Sequence, residues 1–230
     1  MVFGKWRPSS GGKSVTRRPT QKTDIPILDG DRPLIVSDVD EVALNFLDPF
    51  NAFLQENGYK LVPRSFRLTG NVVSIAGGNA APSRTVSTLM DGFFAAQQKW
   101  QTPTIGVVES LARLSTVADI VFLSAMPPKY FAARRALLDE FGLHYPLVAS
   151  ESSKGELIRR IHADSEHHVI LIDDMIYNLH SVKKHIPHSM AINFMANDTF
   201  RAMAPDPGED VHLASNWTDV TRLILRHISS

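Results

Sequence analysis

Six short, mainly apolar runs mark the chain after residue 33: residues 34–36, 120–123, 146–149, 169–172, 190–194 and the weaker 211–214. Runs of about four such residues suit strands buried on both faces, as in a parallel sheet. Amphipathic stretches separate them. Residues 128–141 open on Pro128, are followed by Gly142, and carry Phe131, Leu137, Leu138 and Phe141 on one stripe. Residues 155–162 and 178–185 predict two more helices, the second stopped by Pro187. Residues 217–228 predict a last one, with Val220, Leu223, Ile224 and His227 on one side. Strand and helix in alternation predict an α/β fold: an open parallel sheet between two helical layers.

Residues 44–103 break this alternation. Two helices are expected there, at 49–57 and 85–100, joined through a loop containing Gly70, Gly77, Gly78 and Asn79. The segment holds Phe46, Phe50, Phe53, Tyr59, Phe66, Phe93, Phe94 and Trp100. It reads as a small, mainly helical cap inserted over the carboxyl edge of the sheet. The expected organisation is a basic flexible tail at 1–30, a core from 31–43 and 104–230, and the cap at 44–103.

Composition narrows the function classes. The 230-residue chain has no cysteine, so disulfides, zinc–thiolate sites, iron–sulfur clusters and a cysteine nucleophile are excluded. No apolar run approaches the ~20 residues of a membrane span, and a cytoplasmic location is expected. Formal net charge is zero but uneven: Lys5, Arg7, Lys13, Arg17, Arg18 and Lys22 face only Asp24 and Asp29 in the first 30 residues. The tail is read as solubilising rather than as a nucleic-acid arm. Gly11-Gly12-Lys13-Ser14 imitates the end of a phosphate-binding loop, but Arg7 stands where its first glycine belongs and no strand precedes it.

The chemistry collects at strand ends, where open α/β sheets bind ligands. Residues 34–36 lead into Ser37-Asp38-Val39-Asp40-Glu41-Val42, and residues 169–172 lead into Asp173-Asp174. One acid after a strand is ordinarily a helix cap. Two strands delivering two acids each to one edge concentrate negative charge, for which a hard divalent cation such as Mg²⁺ is the natural compensation. Ser124 follows the second run, and Lys154 follows the third after a short loop. Together they supply a nucleophile, a proton donor, metal ligands and donors for phosphoryl oxygens.

In this order the motifs resemble those of the haloacid dehalogenase-like superfamily, from about Pro33 to the C-terminus. Asp38-Val39-Asp40-Glu41-Val42 resembles its first motif, residues 120–124 ending in Ser124 its second, Lys154 its third, and residues 169–174 its fourth. The resemblance implies a three-layer, Rossmann-like core and a Mg²⁺-dependent phosphohydrolase acting on a small phosphomonoester. It implies that Asp38 becomes an aspartyl phosphate, that Asp40 is the acid and base, and that Ser124 and Lys154 hold phosphoryl oxygens. Asp38, the Asp40 carbonyl and Asp173 would bind Mg²⁺, while Asp174 orients its water shell and Lys154. Asn178 fits a continuation of the last motif and is grouped with the phosphate-binding residues. A phosphomutase and a non-catalytic binding module are the rival readings. Many relatives carry Gly where this chain has Glu41, and Arg64, Arg67 and Arg84 of the insertion are candidates for a second anionic group on the substrate.

Overall fold

The computed structural model describes residues 26, 28, 31–162 and 167–229. The expectations for the tail, including its phosphate-loop imitation, therefore lie almost wholly outside the described residues. In chain order the elements are β1 (Leu34–Ser37), α1 (Leu47–Glu56), β2 (Tyr59–Leu61), β3 (Val72–Ser74), α2 (Ser83–Ala95), α3 (Gln97–Trp100) and α4 (Val107–Leu114). There follow β4 (Asp119–Ser124), a 3₁₀ turn (Pro128–Tyr130), α5 (Phe131–Glu140), β5 (Leu147–Ala149), α6 (Lys154–Ile161) and β6 (Val169–Asp173). The chain ends with α7 (Ile176–His185), β7 (Met190–Asn193), α8 (Asp198–Arg201), β8 (Val211–Leu213) and α9 (Trp217–Ile228).

All six apolar runs form strands, and these make one parallel sheet among the described residues, in the order β5-β4-β1-β6-β7-β8. Both faces of the inner strands are covered, which explains why their runs do not alternate with polar residues, whereas His212 and Leu213 of the edge strand β8 are exposed. Ile35, Ile120, Phe122, Ile170 and Ile172 point into a core built with Leu111, Leu137, Leu138, Trp217 and Ile224 of α4, α5 and α9. Their neighbours Leu34, Val36, Val121, Leu123 and Leu171 point the other way, against Leu157, Ile158, Leu179 and Val182 of α6 and α7. The side-chain period of two thus divides each strand between two helical layers. Gly142, at φ +75°, ends the α5 segment in the left-handed conformation glycine tolerates best. Among the described residues no helix is long and apolar enough to cross a membrane.

The insertion is less helical than its composition suggested. Its two helices form, the second broken at Ala96 into α2 and α3, but β2 and β3 pair as an antiparallel ribbon. That ribbon takes in Val72–Ser74, from the segment read as a loop. Val72 and Val73 are buried, and the glycines lie outside the strand. Helix α4 was not expected either, although Val107, Leu111 and Leu114 are its buried face. The aromatic residues make a third core: Phe46 stacks on Phe50, and Phe93 packs edge-on against Phe46, Phe50 and Phe53. This cluster also takes in Met126, Ala149, Met195 and Phe200, from beyond or at the carboxyl ends of β4, β5 and β7. The insertion therefore packs over the edge where the acids emerge.

Candidate active site

The order of the sheet brings the acids together. Strand β1 lies in the middle, with β4 on one side and β6 on the other, so their carboxyl ends are adjacent. Neighbouring strands run about 4.8 Å apart. Ser37 is in register with Phe122 and Ile172, and the Asp38 amide donates to the Ile172 carbonyl at 2.9 Å. Asp38 and Asp173 thus stand side by side by backbone geometry alone. One carboxylate oxygen from each of Asp38, Asp173 and Asp174 lies within 4.8 Å of the others, and all three residues are buried.

Lys154, the first residue of α6, places its ammonium between two of them. Its Nζ lies 2.7 Å from Asp38 Oδ1 and 2.6 Å from Asp173 Oδ2. Burial opposes the ammonium, but Asp173 and Asp38 outweigh it and hold the lysine above its usual range. One cation does not balance three buried carboxylates. Burial pushes the Asp38 carboxyl up to about 7 against the pull of Lys154, with Asp173 and Asp40 adding repulsion. Asp174 is raised well above the usual carboxylate range by burial and by its neighbours Asp38 and Asp173.

Asn178 was grouped with the phosphate-binding residues, but its bonds run elsewhere. Its Nδ2 donates to both oxygens of Asp173, at 3.0 and 3.2 Å, so its amide is spent on orienting that carboxylate. The Met175 amide also donates to Asp173 Oδ1, at 2.8 Å. Ser124 ends β4 fully buried, and its hydroxyl accepts from the Met126 amide at 3.2 Å. It lies behind the cavity wall, on which Ala125 and Met126 stand.

Asp40 has partners that the motif did not announce. Arg134 of α5 is completely buried and forks onto it, Nη1 donating to Oδ2 at 3.1 Å and Nη2 to Oδ1 at 2.9 Å. Gln101 Nε2 adds a bond to Oδ1 at 2.9 Å. Behind the fork, Arg134 Nε donates to Gln97 Oε1 and Nη2 to Gln101 Oε1. A bidentate guanidinium fixes both position and plane of a carboxylate. The sequence did carry a signal: Arg134 falls on the same stripe as Phe131, Leu137, Leu138 and Phe141, a core position that an arginine occupies only with a partner.

Glu41 stands at a turn that a glycine would also suit. It is the non-glycine residue with positive φ among the described residues, at +63°, where glycine would fit without strain. Its side chain is nonetheless used. Oε1 accepts from the Phe46 and Leu47 amides at 2.9 and 2.6 Å, at the start of α1, and Oε2 accepts from the Asn197 amide at 2.9 Å. Burial raises its carboxyl above the usual range, against the opposing pull of those three N–H donors. The turn it occupies is pinned from below: Trp217 Nε1 donates to the Val42 carbonyl at 3.2 Å and to Thr104 Oγ1 at 2.9 Å.

Above the acids lies a cavity of about 830 Å³, floored by Asp38, Asp40 and Asp174 and walled by the insertion. Of the three insertion arginines, Arg67 lines it and Arg64 and Arg84 do not.

No protein-family model and no curated protein sequence matches the chain. Solved structures do. A haloacid dehalogenase-like protein of unknown function from Agrobacterium tumefaciens superposes on 84% of this chain and 98% of its own, with a TM-score of 0.56 at 15% identity. The chain has the haloacid dehalogenase-like fold. A protein provisionally described as a phosphatase, from Clostridium difficile, matches 84% of this chain and 98% of its own with a TM-score of 0.54 at 13% identity. One provisionally described as a β-phosphoglucomutase, from Thermotoga maritima, matches 84% and 99% with a TM-score of 0.53 at 12% identity. At such identities the likeness is one of fold. On the haloacid dehalogenase-like fold of this chain, the four strand ends picked out by sequence meet at one edge of the sheet.

Proposed function

We propose that the protein is a Mg²⁺-dependent phosphohydrolase that cleaves a small phosphomonoester through an aspartyl phosphate on Asp38. The observation that carries this reading is the buried triad of Asp38, Asp173 and Asp174, one oxygen of each within 4.8 Å of the others, with Asp38 and Asp174 at the floor of a cavity and a single lysine between Asp38 and Asp173. The set suits a hard divalent cation: every donor is a carboxylate oxygen, and the charge of three acids exceeds that of Lys154. Asp38 and Asp173 would hold the ion, with the Asp40 carbonyl, and Asp174 would orient its waters. Bound there, Mg²⁺ would supply positive charge to the phosphoryl oxygens and keep the Asp38 carboxyl ionised.

The chain's own groups divide the remaining work. The Asp38 carboxylate attacks phosphorus in line with the departing ester oxygen. Lys154 neutralises the phosphoryl group as it approaches two acids. The Ala125 amide, on the cavity wall, supplies a donor to the equatorial oxygens, while the buried Ser124 hydroxyl braces that turn through the Met126 amide. Asp40 hands a proton to the leaving oxygen and takes one from the water that hydrolyses the acyl phosphate. Arg134 and Gln101 hold the Asp40 carboxylate in one orientation for both steps. Asn178 does the same for Asp173, which revises its place from phosphate binding to positioning. Residues 44–103 act as a cap that excludes bulk water, with Glu41 tying the first cap helix to the core. Two of the fold neighbours are provisionally described as a phosphatase and as a β-phosphoglucomutase; the second description names the rival outcome, transfer back to a sugar.

Purified protein incubated with a panel of phosphomonoesters should release inorganic phosphate when Mg²⁺ is present and stop when it is chelated. Release that is indifferent to chelation, or isomerised sugar phosphate without phosphate release, would replace this reading.

A further inference from the structure

Resting on the phosphohydrolase reading, we propose that the substrate's leaving group is hydrocarbon: an alkyl or aryl phosphomonoester rather than a sugar phosphate. The cavity above the acids has a polar floor and an apolar wall. Phe46, Phe66, Met90, Phe94, Met126 and Phe200 line the same space as the carboxylates. Four of the chain's seven methionines line this one cavity: Met90, Met126, Met175 and Met195. Unbranched, polarisable thioethers fit themselves to apolar ligands of varied shape.

Three polar groups on the wall are already engaged. The Asp91 carboxylate is held by Lys129 Nζ at 2.9 Å and by the Tyr130 hydroxyl at 2.9 Å. The Glu41 oxygens take three backbone amides. The Ser87 hydroxyl donates to the Ser83 carbonyl of its own helix at 3.1 Å. Arg67, Thr69, Ser83, Glu151 and Tyr177, which remain, are exposed and lie toward solvent rather than among the rings. A sugar entering this space would bury several hydroxyls against phenyl rings and thioethers, leaving them without partners. A hydrocarbon group needs none and gains from every methylene covered. The volume, about 830 Å³, is ample for a phosphate with such a body. The reaction stays balanced: the ester P–O bond breaks, a P–O bond to water oxygen forms in its place, and the proton goes to the departing alcohol.

A homologous series tests this without the bias of leaving-group acidity, which is nearly constant for straight-chain alcohols. With Mg²⁺ present, kcat/KM for propyl, butyl, pentyl and hexyl phosphate should rise by up to about fourfold per methylene, the value of full burial. Hexyl phosphate should exceed glucose 6-phosphate by more than tenfold. A flat series, or glucose 6-phosphate preferred, overturns the proposal. The corresponding alkylphosphonates, which cannot be hydrolysed, separate the two levels of the argument by calorimetry. Affinity that climbs with chain length while no ester is turned over rejects the phosphohydrolase reading and keeps the apolar site. Affinity independent of chain length rejects the apolar site whatever the turnover. Met90→Gln should flatten the chain-length slope for ester and phosphonate alike. Should that variant not fold, Phe66→Ser, outside any helix or strand, should do the same, and an unchanged slope in a folded variant contradicts the assignment of the wall.

Discussion

Asp40 is held by a buried arginine, and that pairing has measurable consequences. Replacing Arg134 by Met removes the fork and leaves a carboxylate facing the space of a fully buried side chain. Breaking such a pair from one side should cost about 3 kcal/mol, read as a lower denaturant midpoint. Phosphate release should fall as well, because Asp40 would no longer be fixed. Unchanged stability would mean that the fork is incidental. Asp40→Asn itself should lower turnover by roughly 10²–10⁴-fold, the usual span for general acid–base catalysis. Glu41 permits a sharper comparison. Both Glu41→Ala and Glu41→Gly release the three amides that the carboxylate accepts, but only glycine is at ease at φ +63°. The alanine variant should therefore be the less stable of the two by roughly 1 kcal/mol. Equal melting curves would show that the turn carries no strain.

At the scale of the elements, the contact of α6 with α7 decides where Lys154 sits. A methyl group on Gly155 would stand 2.4 Å from the Ser181 carbonyl and 2.7 Å from His185 Nδ1. The helices must part to admit it, so Gly155→Ala should destabilise by about 1–3 kcal/mol and loosen the lysine from Asp173. A fully stable Gly155→Ala protein would show that α6 and α7 are not in close contact at this point. The strands were legible because burial on both faces leaves an unbroken apolar run, and the acids because they follow those runs directly. Helix α4 was missed although Val107, Leu111 and Leu114 recur at helical spacing: it has only eight residues and starts directly after Pro103 and Gly106, at the end of the insertion. The β2–β3 ribbon was missed because each strand has three residues and depends on its partner rather than on local pattern. Arg134 lies 94 positions from Asp40, and Glu41 reaches Asn197 across 156, so neither pairing had a local trace.

For the molecule as a whole, a strand order, a charge imbalance and a cavity coincide at one edge of the sheet. Strand β1 at the centre of the sheet sets Asp38 against Asp173, and residues of the insertion line the cavity above the acids. If the acids hold Mg²⁺, the ion stabilises the folded state by mass action. Thermal stability should rise with Mg²⁺, by about 2.7 kcal/mol at a hundredfold excess over the dissociation constant. Asp173→Ala should abolish that dependence. The most direct measurement of the central claim is inorganic phosphate released from a phosphomonoester by the wild-type protein and by Asp38→Asn, each with Mg²⁺ and with chelator. The account predicts release by the wild type with Mg²⁺ alone, and none above background from the folded Asp38→Asn protein. Turnover by Asp38→Asn near the wild-type rate would contradict it.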